Sequence, residues 1–259
     1  MGWVFILAII NGEQRKLIIK SVTALGKESL KFPKKYNGFM GISIYNYFFN
    51  GKTMEKYICW GSENFGKFLV LLMDDPEVNN LHVFKGIGKK EALEKARSHS
   101  DSLKICFKKI INKNKINNVE IVQFRDFYTE LEFTKFKKIV EEEFKKNKLF
   151  RDDVLGLMHL WIGDKIDSLE KIISPNNIKE LSNYIIEELT SLFYFTEKGY
   201  RIELDPTPEF STKKKVYNGI FKEIKEKMKL KKRGHIYLHP EGIEKYGKKK
   251  IKEILKKLQ

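Results

Sequence analysis

The sequence predicts an α/β fold, a mainly parallel sheet with helices on both faces. Short apolar, β-branched and aromatic runs alternate with longer stretches of helical periodicity along most of the chain. That is the order in which a parallel sheet and its crossover helices are built. The chain has 259 residues, 42% hydrophobic and 13% aromatic, which is enough for one sizeable core. It shows no internal repeat and no long linker, so residues 1–259 read as a single domain.

The first apolar run, residues 4–10, reads as a strand. Asn11-Gly12 is a turn signal, and residues 16–21 are its expected partner strand. The run is too short to span a bilayer and lacks the basic leader and small-residue cleavage site of a signal peptide. Residues 41–44 form a strand that runs into a turn at Ser43. Residues 68–73 form an apolar strand closed by Asp74-Asp75-Pro76. Lys85-Gly86-Ile87-Gly88-Lys89-Lys90 lacks the full phosphate-loop pattern and reads as a loop entering a helix. That basic helix runs from residue 89 to about 112, and a strand follows at 119–124. Helices are expected over 130–146, 152–162 and 177–193, a late strand over 235–238, and a basic helix from Glu241.

The formal charge is +16, from 50 Lys and Arg against 34 Asp and Glu. A surplus of this size suits a polyanionic partner, and it also suits a chain that uses lysine for solubility. The two cysteines, Cys59 and Cys106, have no ligand spacing and no CxxC partner. They point to a reducing cytoplasm and no disulfide framework. The five histidines are scattered, and no cluster has metal-ligand spacing.

Two motifs carry the chemistry. Residues 38–50 end a small apolar run in Gly41-Ile42-Ser43, then place Asn46 before Phe48 and Phe49. A serine at the end of a strand offers an exposed hydroxyl beside an open backbone turn, as a nucleophile needs. Residues 184–189, Tyr-Ile-Ile-Glu-Glu-Leu, put Tyr184 and Glu188 four apart, so a helix presents both on one face. Each motif alone also fits ordinary strand punctuation or a surface helix. Together, in this order and about 140 residues apart, they resemble the cyclodipeptide synthases. That family carries Gly-x-Ser-x-x-Asn-x-Tyr/Phe-Phe and, on a facing helix, Tyr-x-x-x-Glu-Leu. Where the family often continues with Pro, this chain has Thr190.

The resemblance implies a Rossmann-like sheet similar to the catalytic domain of class I tyrosyl- and tryptophanyl-tRNA synthetases. It implies an aminoacyltransferase that makes a diketopiperazine from two aminoacyl-tRNAs, with no cofactor because the ester bond carries the activation. Ser43 would be the nucleophile. Tyr184 and Glu188 would hold the substrate ammonium, and Glu188 could also exchange its proton. Backbone donors near Gly41, with Tyr217, would stabilise the tetrahedral oxyanion, and Asn46 would position the aminoacyl group or the serine turn. A third stretch, Thr207-Pro208-Glu209 followed by Val216-Tyr217-Asn218, resembles a family segment in which an apolar strand ends in Tyr-His. Tyr217 would be that tyrosine and Asn218 would stand in place of the His. Lys213-Lys214-Lys215 replaces the apolar strand, and Tyr200 is the rival tyrosine.

The family's helix equivalent to 89–115 contacts the transfer RNA acceptor arm. Here it carries nine basic residues, Lys104, Lys108 and Lys109 among them. Lysine contacts to phosphate give affinity without sequence readout. The ATP-binding motifs of the synthetases are absent; Lys227-Met228-Lys229-Leu230-Lys231 is only an echo. Two other classes stay open at this point. One is a non-catalytic tRNA-binding protein on a degenerate synthetase fold. The other is a small-ester serine hydrolase, which would want Gly-x-Ser-x-Gly where residue 45 is Tyr. The two amino acids joined and the oligomeric state are not readable.

Overall fold

In the computed structural model, which describes residues 17–46, 49, 51–163, 174–206, 211–229 and 231–240, the apolar runs assemble into one sheet. Its strands are β1 (Leu17–Val22), β2 (Asn37–Ile42), β3 (Phe68–Leu72), β4 (Val119–Gln123), β5 (Tyr200–Asp205) and β6 (Gly234–Pro240). They lie in the order β1-β6-β5-β2-β3-β4. Every neighbouring pair is parallel except β1 with β6. From β2 the chain moves outward through β3 and β4, then returns to the other side of β2 as β5 and β6. β2 is thus the strand at which the order reverses. In open α/β sheets, ligands bind beyond the carboxyl end of such a strand.

Side chains alternate across each strand, so each strand serves two cores. Met40, Ile42, Phe68, Val70 and Leu72 pack with α1 (Ala24–Lys31), α2 (Gly51–Asn64) and α4 (Lys89–Lys113). Phe39, Leu69 and Leu71 pack with α5 (Leu131–Lys146), α6 (Lys148–Gly163) and α7 (Pro175–Glu197). Three shorter helices complete the described part: α3 (Glu77–Lys85), α8 (Ser211–Tyr217) and α9 (Lys222–Met228). Helices cover both faces as expected; α4, α5, α6 and α7 answer to predicted helices, whereas α1, α2, α3, α8 and α9 had not been read from the sequence. Gly61 in α2 matters here, because a Cβ would meet the Phe68 ring at 2.3 Å.

Several boundaries move. β2 starts at Asn37 and stops at Ile42, which leaves Ser43 just beyond the strand. Its glycines and Asn37 hid its first half. α7 is longer than its apolar pattern because Ser174 caps it, accepting from the Asn177 N–H at 3.2 Å, and Pro175 starts it. β1 pairs antiparallel with β6. Its expected partner strand at 4–10 and the expected helix from Glu241 lie outside the described residues. Val216 and Tyr217 do not end a strand; they close the helix α8, and the strand of that region is β5. Among the described residues, no helix is long and apolar enough to cross a membrane.

Candidate active site

Ser43 follows the last residue of β2 and is held in a tight turn. The Asn46 N–H donates to the Ser43 carbonyl at 3.0 Å, and the Phe49 N–H donates to the Asn46 carbonyl at 3.0 Å. From α4, the His99 ring stacks on Tyr45 with centroids 4.7 Å apart. His99 Nε2 lies 2.9 Å from the Ile44 carbonyl, which can only accept, so this nitrogen carries the proton. The Asn46 backbone thus takes part in the turn through both its N–H and its carbonyl. Phe48 lies outside the described residues.

The Ser43 hydroxyl donates to Oε1 of Glu77, the first residue of α3. Tyr184 of α7 is also hydrogen-bonded to Ser43. The expected meeting of Ser43 and Tyr184 is thus present, and it includes a carboxylate that the motifs did not name. Burial first, then the charges of Glu77 and Glu188, push the Tyr184 phenol well above its ordinary range. It remains a neutral donor at physiological pH.

Glu188, one helical turn beyond Tyr184, meets an ammonium already in place. Lys213 Nζ lies 3.2 Å from Glu188 and 2.6 Å from Glu203 of β5. Arg233 completes the chain by binding the other oxygen of Glu203. The side chains of Lys213 and Arg233 are each 2% exposed and that of Glu203 is 5% exposed, so these charges are viable only as a mutually neutralising set. Burial alone would lower the pKa of Lys213; Glu203 and Glu188 outweigh it and hold it above its ordinary value. Burial likewise pushes Glu203 up, but Lys213 and Arg233 reverse this and keep it firmly ionised. Glu188 is less well compensated. Burial raises its pKa, and Lys213 only partly pulls it back.

The register of β5 against β2 locates the remaining candidates. Asn37 pairs with Tyr200 and Phe39 with Glu203. Tyr200 therefore stands at the amino end of the sheet, six residues along from Ser43 or about 20 Å. It stands away from the Ser43 turn. Asp205 stands at the carboxyl end instead, and its charge acts on both Tyr184 and Lys213. Tyr217 lies behind the charge cluster. Its ring sits 4.4 Å from the Arg233 guanidinium, and its hydroxyl is 3.4 Å from that of Thr196. It is connected to Glu188 through Arg233, Glu203 and Lys213 rather than by direct contact. Asn218 lines a surface hollow of about 460 Å³ with Gly219, Lys222, Lys225, Glu226 and Lys229, which contains none of the Ser43 group. Gly41 is exposed, and a Cβ there would meet nothing within 4 Å. By alternation it shares the face of Phe39, toward α7, so it leaves open space beside Ser43.

The basic helix is less free than its composition suggests. Lys89 bridges Glu180, Lys95 bridges Glu91, Lys104 bridges Asp126, and Lys113 bridges Glu55. Arg97 forks onto Asp75 at 2.9 and 2.8 Å and so anchors the turn that precedes Glu77. Lys104 also donates to Gln123 at 2.9 Å and is largely committed within the chain. Lys90, Lys108 and Lys109 are exposed and have no ion partner among the described residues. Among the described residues no three His, Cys, Asp or Glu side chains converge as a metal site.

Sequence reasoning missed Glu77, Asp205, Glu203 and the role of Lys213. One signal was available. Pro76-Glu77 with Asn80 three residues on is a helix start that carries its own carboxylate. The inward turn of Lys213 had no local signal, because Lys213-Lys214-Lys215 looks like a solvated run.

Comparison with known proteins bears on the fold and the family. Cyclo(L-leucyl-L-leucyl) synthase of Staphylococcus haemolyticus is 25% identical over 161 residues, 61% of this chain and 68% of that protein. A cyclodipeptide synthase structure from Fluoribacter dumoffii superposes with a TM-score of 0.72 at 16% identity, covering 86% of this chain and 98% of the other. The synthase of Candidatus Glomeribacter gigasporarum bound to Phe-tRNAPhe superposes with a TM-score of 0.57 at 14% identity, covering 78% and 90%. The tyrosyl-tRNA synthetase of Archaeoglobus fulgidus shares the fold more distantly, with a TM-score of 0.52 at 12% identity, covering 86% and 60%. A family model for cyclodipeptide synthases matches residues 29–196, which run from α1 to the end of the Tyr184 helix, and the chain belongs to that family.

Proposed function

We propose that this protein joins two aminoacyl groups, each delivered as a transfer RNA ester, into a cyclic dipeptide, with Ser43 as the covalent carrier. One observation carries this reading. Ser43 stands at the carboxyl end of the strand where the sheet order reverses, and it is hydrogen-bonded to Tyr184 with Glu188 one turn away. Two short motifs distant in sequence meet at one hydroxyl. The solved relative bound to Phe-tRNAPhe supports the choice of substrate class.

Ser43 attacks the ester carbonyl of the first substrate and releases the transfer RNA. The amine of the second aminoacyl-tRNA attacks the resulting serine ester, forming the peptide bond and freeing the Ser43 hydroxyl, which then takes the dipeptidyl group from its transfer RNA ester to give a dipeptidyl-enzyme. Its free amine then closes the ring on the remaining ester. Each step exchanges an ester for an ester or an amide, so the activation needed is present in the substrates. Glu188 and Asp205 give the pocket the negative charge that suits an α-ammonium, and Tyr184 supplies a neutral donor. The open space beside Gly41 suits the aminoacyl group. Lys108 and Lys109, with Lys90 on the same helix, suit the phosphates of the acceptor arm.

The test is direct. Purified protein is incubated with a mixture of the twenty aminoacyl-tRNAs, and the supernatant is analysed by mass spectrometry. A diketopiperazine that depends on charged rather than free transfer RNA is expected. Binding of transfer RNA with no cyclic product would favour the non-catalytic reading.

A further inference from the structure

We infer that Glu77 is the carboxylate that takes the Ser43 proton during acylation and returns it to the departing ribose oxygen. The inference rests on Ser43 being the nucleophile, as proposed above. The scattered histidines left Ser43 without an obvious base, yet the structure gives its hydroxyl an acceptor. Glu77 is buried, and its Oε1 receives the Ser43 proton in a hydrogen bond. Its Oε2 is held by the Asn80 side chain, which donates at 2.7 Å one turn further along α3. One oxygen is anchored and the other is aimed at the nucleophile.

Glu77 opens a nine-residue helix, where backbone N–H groups and the helix dipole favour negative charge. The turn that carries it is fixed on two sides. Asp75 is forked by Arg97, and Asp74, itself fully buried, accepts from the Arg125 N–H at 3.3 Å. A side chain held this firmly on a reacting atom is preorganised for proton transfer. With the Ser43 proton directed at Glu77, the Tyr184 O–H becomes the donor in its contact with Ser43, which leaves an oxygen lone pair for attack.

The step balances. The Ser43 oxygen forms a bond to the ester carbonyl carbon as its proton moves to Glu77 Oε1, and the carbonyl π pair moves onto oxygen. On collapse that pair reforms the carbonyl, the bond to the ribose oxygen breaks, and the Glu77 proton passes to that oxygen. The transfer RNA leaves with a free hydroxyl, and Glu77 is again a carboxylate.

Two readouts test this on the full chain. The first is single-turnover formation of aminoacyl-enzyme from aminoacyl-tRNA, followed by intact-mass spectrometry after acid quench. The second is the rate at which a fluorophosphonate labels Ser43, which needs no transfer RNA. In Glu77→Gln both rates should fall by about 10²–10⁴-fold, the usual share of a general base. Transfer RNA affinity should stay unchanged. If both rates stay near the wild-type values, Glu77 is not the base. Should Glu77→Gln fail to fold, Glu77→Asp keeps the charge at the helix start but withdraws it from Ser43 by one methylene. Loss of about tenfold or more then supports the inference, because misplacement near 1 Å is costly, and an unchanged rate overturns it. If wild-type protein takes the fluorophosphonate on Ser43 but never an aminoacyl group, the substrate assignment fails while the Glu77 variants still decide the base.

Discussion

Replacing Lys213 with methionine should destabilise the protein strongly, and a second substitution should repair part of the loss. Methionine keeps most of the stem volume and removes the charge. In the native cluster, Lys213 and Arg233 face Glu203 and Glu188, with Asp205 close enough to act on Lys213. Removing one of two buried cations leaves the carboxylates with Arg233 alone. Breaking a buried pair in this way costs about 3–5 kcal/mol. For a chain of this length each kcal/mol lowers Tm by roughly 2–4 °C, so a fall of about 6–20 °C is expected. Glu188→Gln in the Lys213→Met background removes the least compensated anion, and the double variant should recover a coupling energy of roughly 0.5–3 kcal/mol. The pH dependence gives a second handle. Burial already raises the folded-state pKa of Glu188 above its unfolded value, and loss of Lys213 raises it further. Such a group contributes stability below its unfolded pKa and loses it as pH rises through its folded pKa. The Lys213→Met deficit should therefore be smaller at pH 5 than at pH 8. Thermal and urea unfolding of the four proteins of the cycle measure this. Strict additivity, or a single variant within about 1 kcal/mol of wild type, would refute the view that Lys213 neutralises Glu188.

Three further outcomes are expected. Lys108→Ala and Lys109→Ala should each lower the slope of log affinity for transfer RNA against log salt by about 0.7–0.9, whereas Lys104→Ala, already bound to Asp126 and Gln123, should change it little; equal slopes for all three would place the RNA elsewhere. Gly41→Val should leave Tm nearly unchanged, because its Cβ meets nothing within 4 Å, yet reduce product formation by about a hundredfold by filling the space beside Ser43; full activity would show that the aminoacyl group does not lie there. Burial pushes the buried His235 down to about 4, so the folded state resists its protonation; its contribution is complete above the unfolded value near 6.5 and is lost as pH falls toward 4, amounting to roughly 3 kcal/mol. Denaturant titrations at several pH values, with His235→Gln as the control, should show that loss in wild type alone.

The architecture was legible where one physical signal dominated. Residues 68–72 are apolar without a break, and the strand there is buried throughout. The apolar spacing in residues 89–113 and 177–193 is helical, and those helices formed. β5 was unread although Tyr200-Arg-Ile-Glu-Leu-Asp205 alternates strictly, because Glu203 in its middle is buried. Glu203 can be buried because Lys213 and Arg233 neutralise it, a fact held in distant parts of the chain. The same cause hid α8, whose three lysines look like a surface run while the first of them is buried. The site divides in the same way. Ser43, Tyr184 and Glu188 belong to compact local patterns, and the fold brings them close together. Glu77 and Asp205 reach the site through sheet order, since β3 and β5 flank β2, and strand order is not written in any one segment. Composition cannot show which lysines are already paired, as Lys104 is with Asp126.

Acid-trapped protein after a brief exposure to aminoacyl-tRNA tests the central claim most directly. Wild-type protein should gain the mass of one aminoacyl residue, the adduct should map by peptide sequencing to Ser43, and hydroxylamine should remove it as expected for an ester. Ser43→Ala should bind the same transfer RNA with unchanged affinity and gain no mass. An adduct of equal yield in Ser43→Ala, or cyclic product made by that variant at the wild-type rate, would contradict the assignment of Ser43 as the covalent carrier.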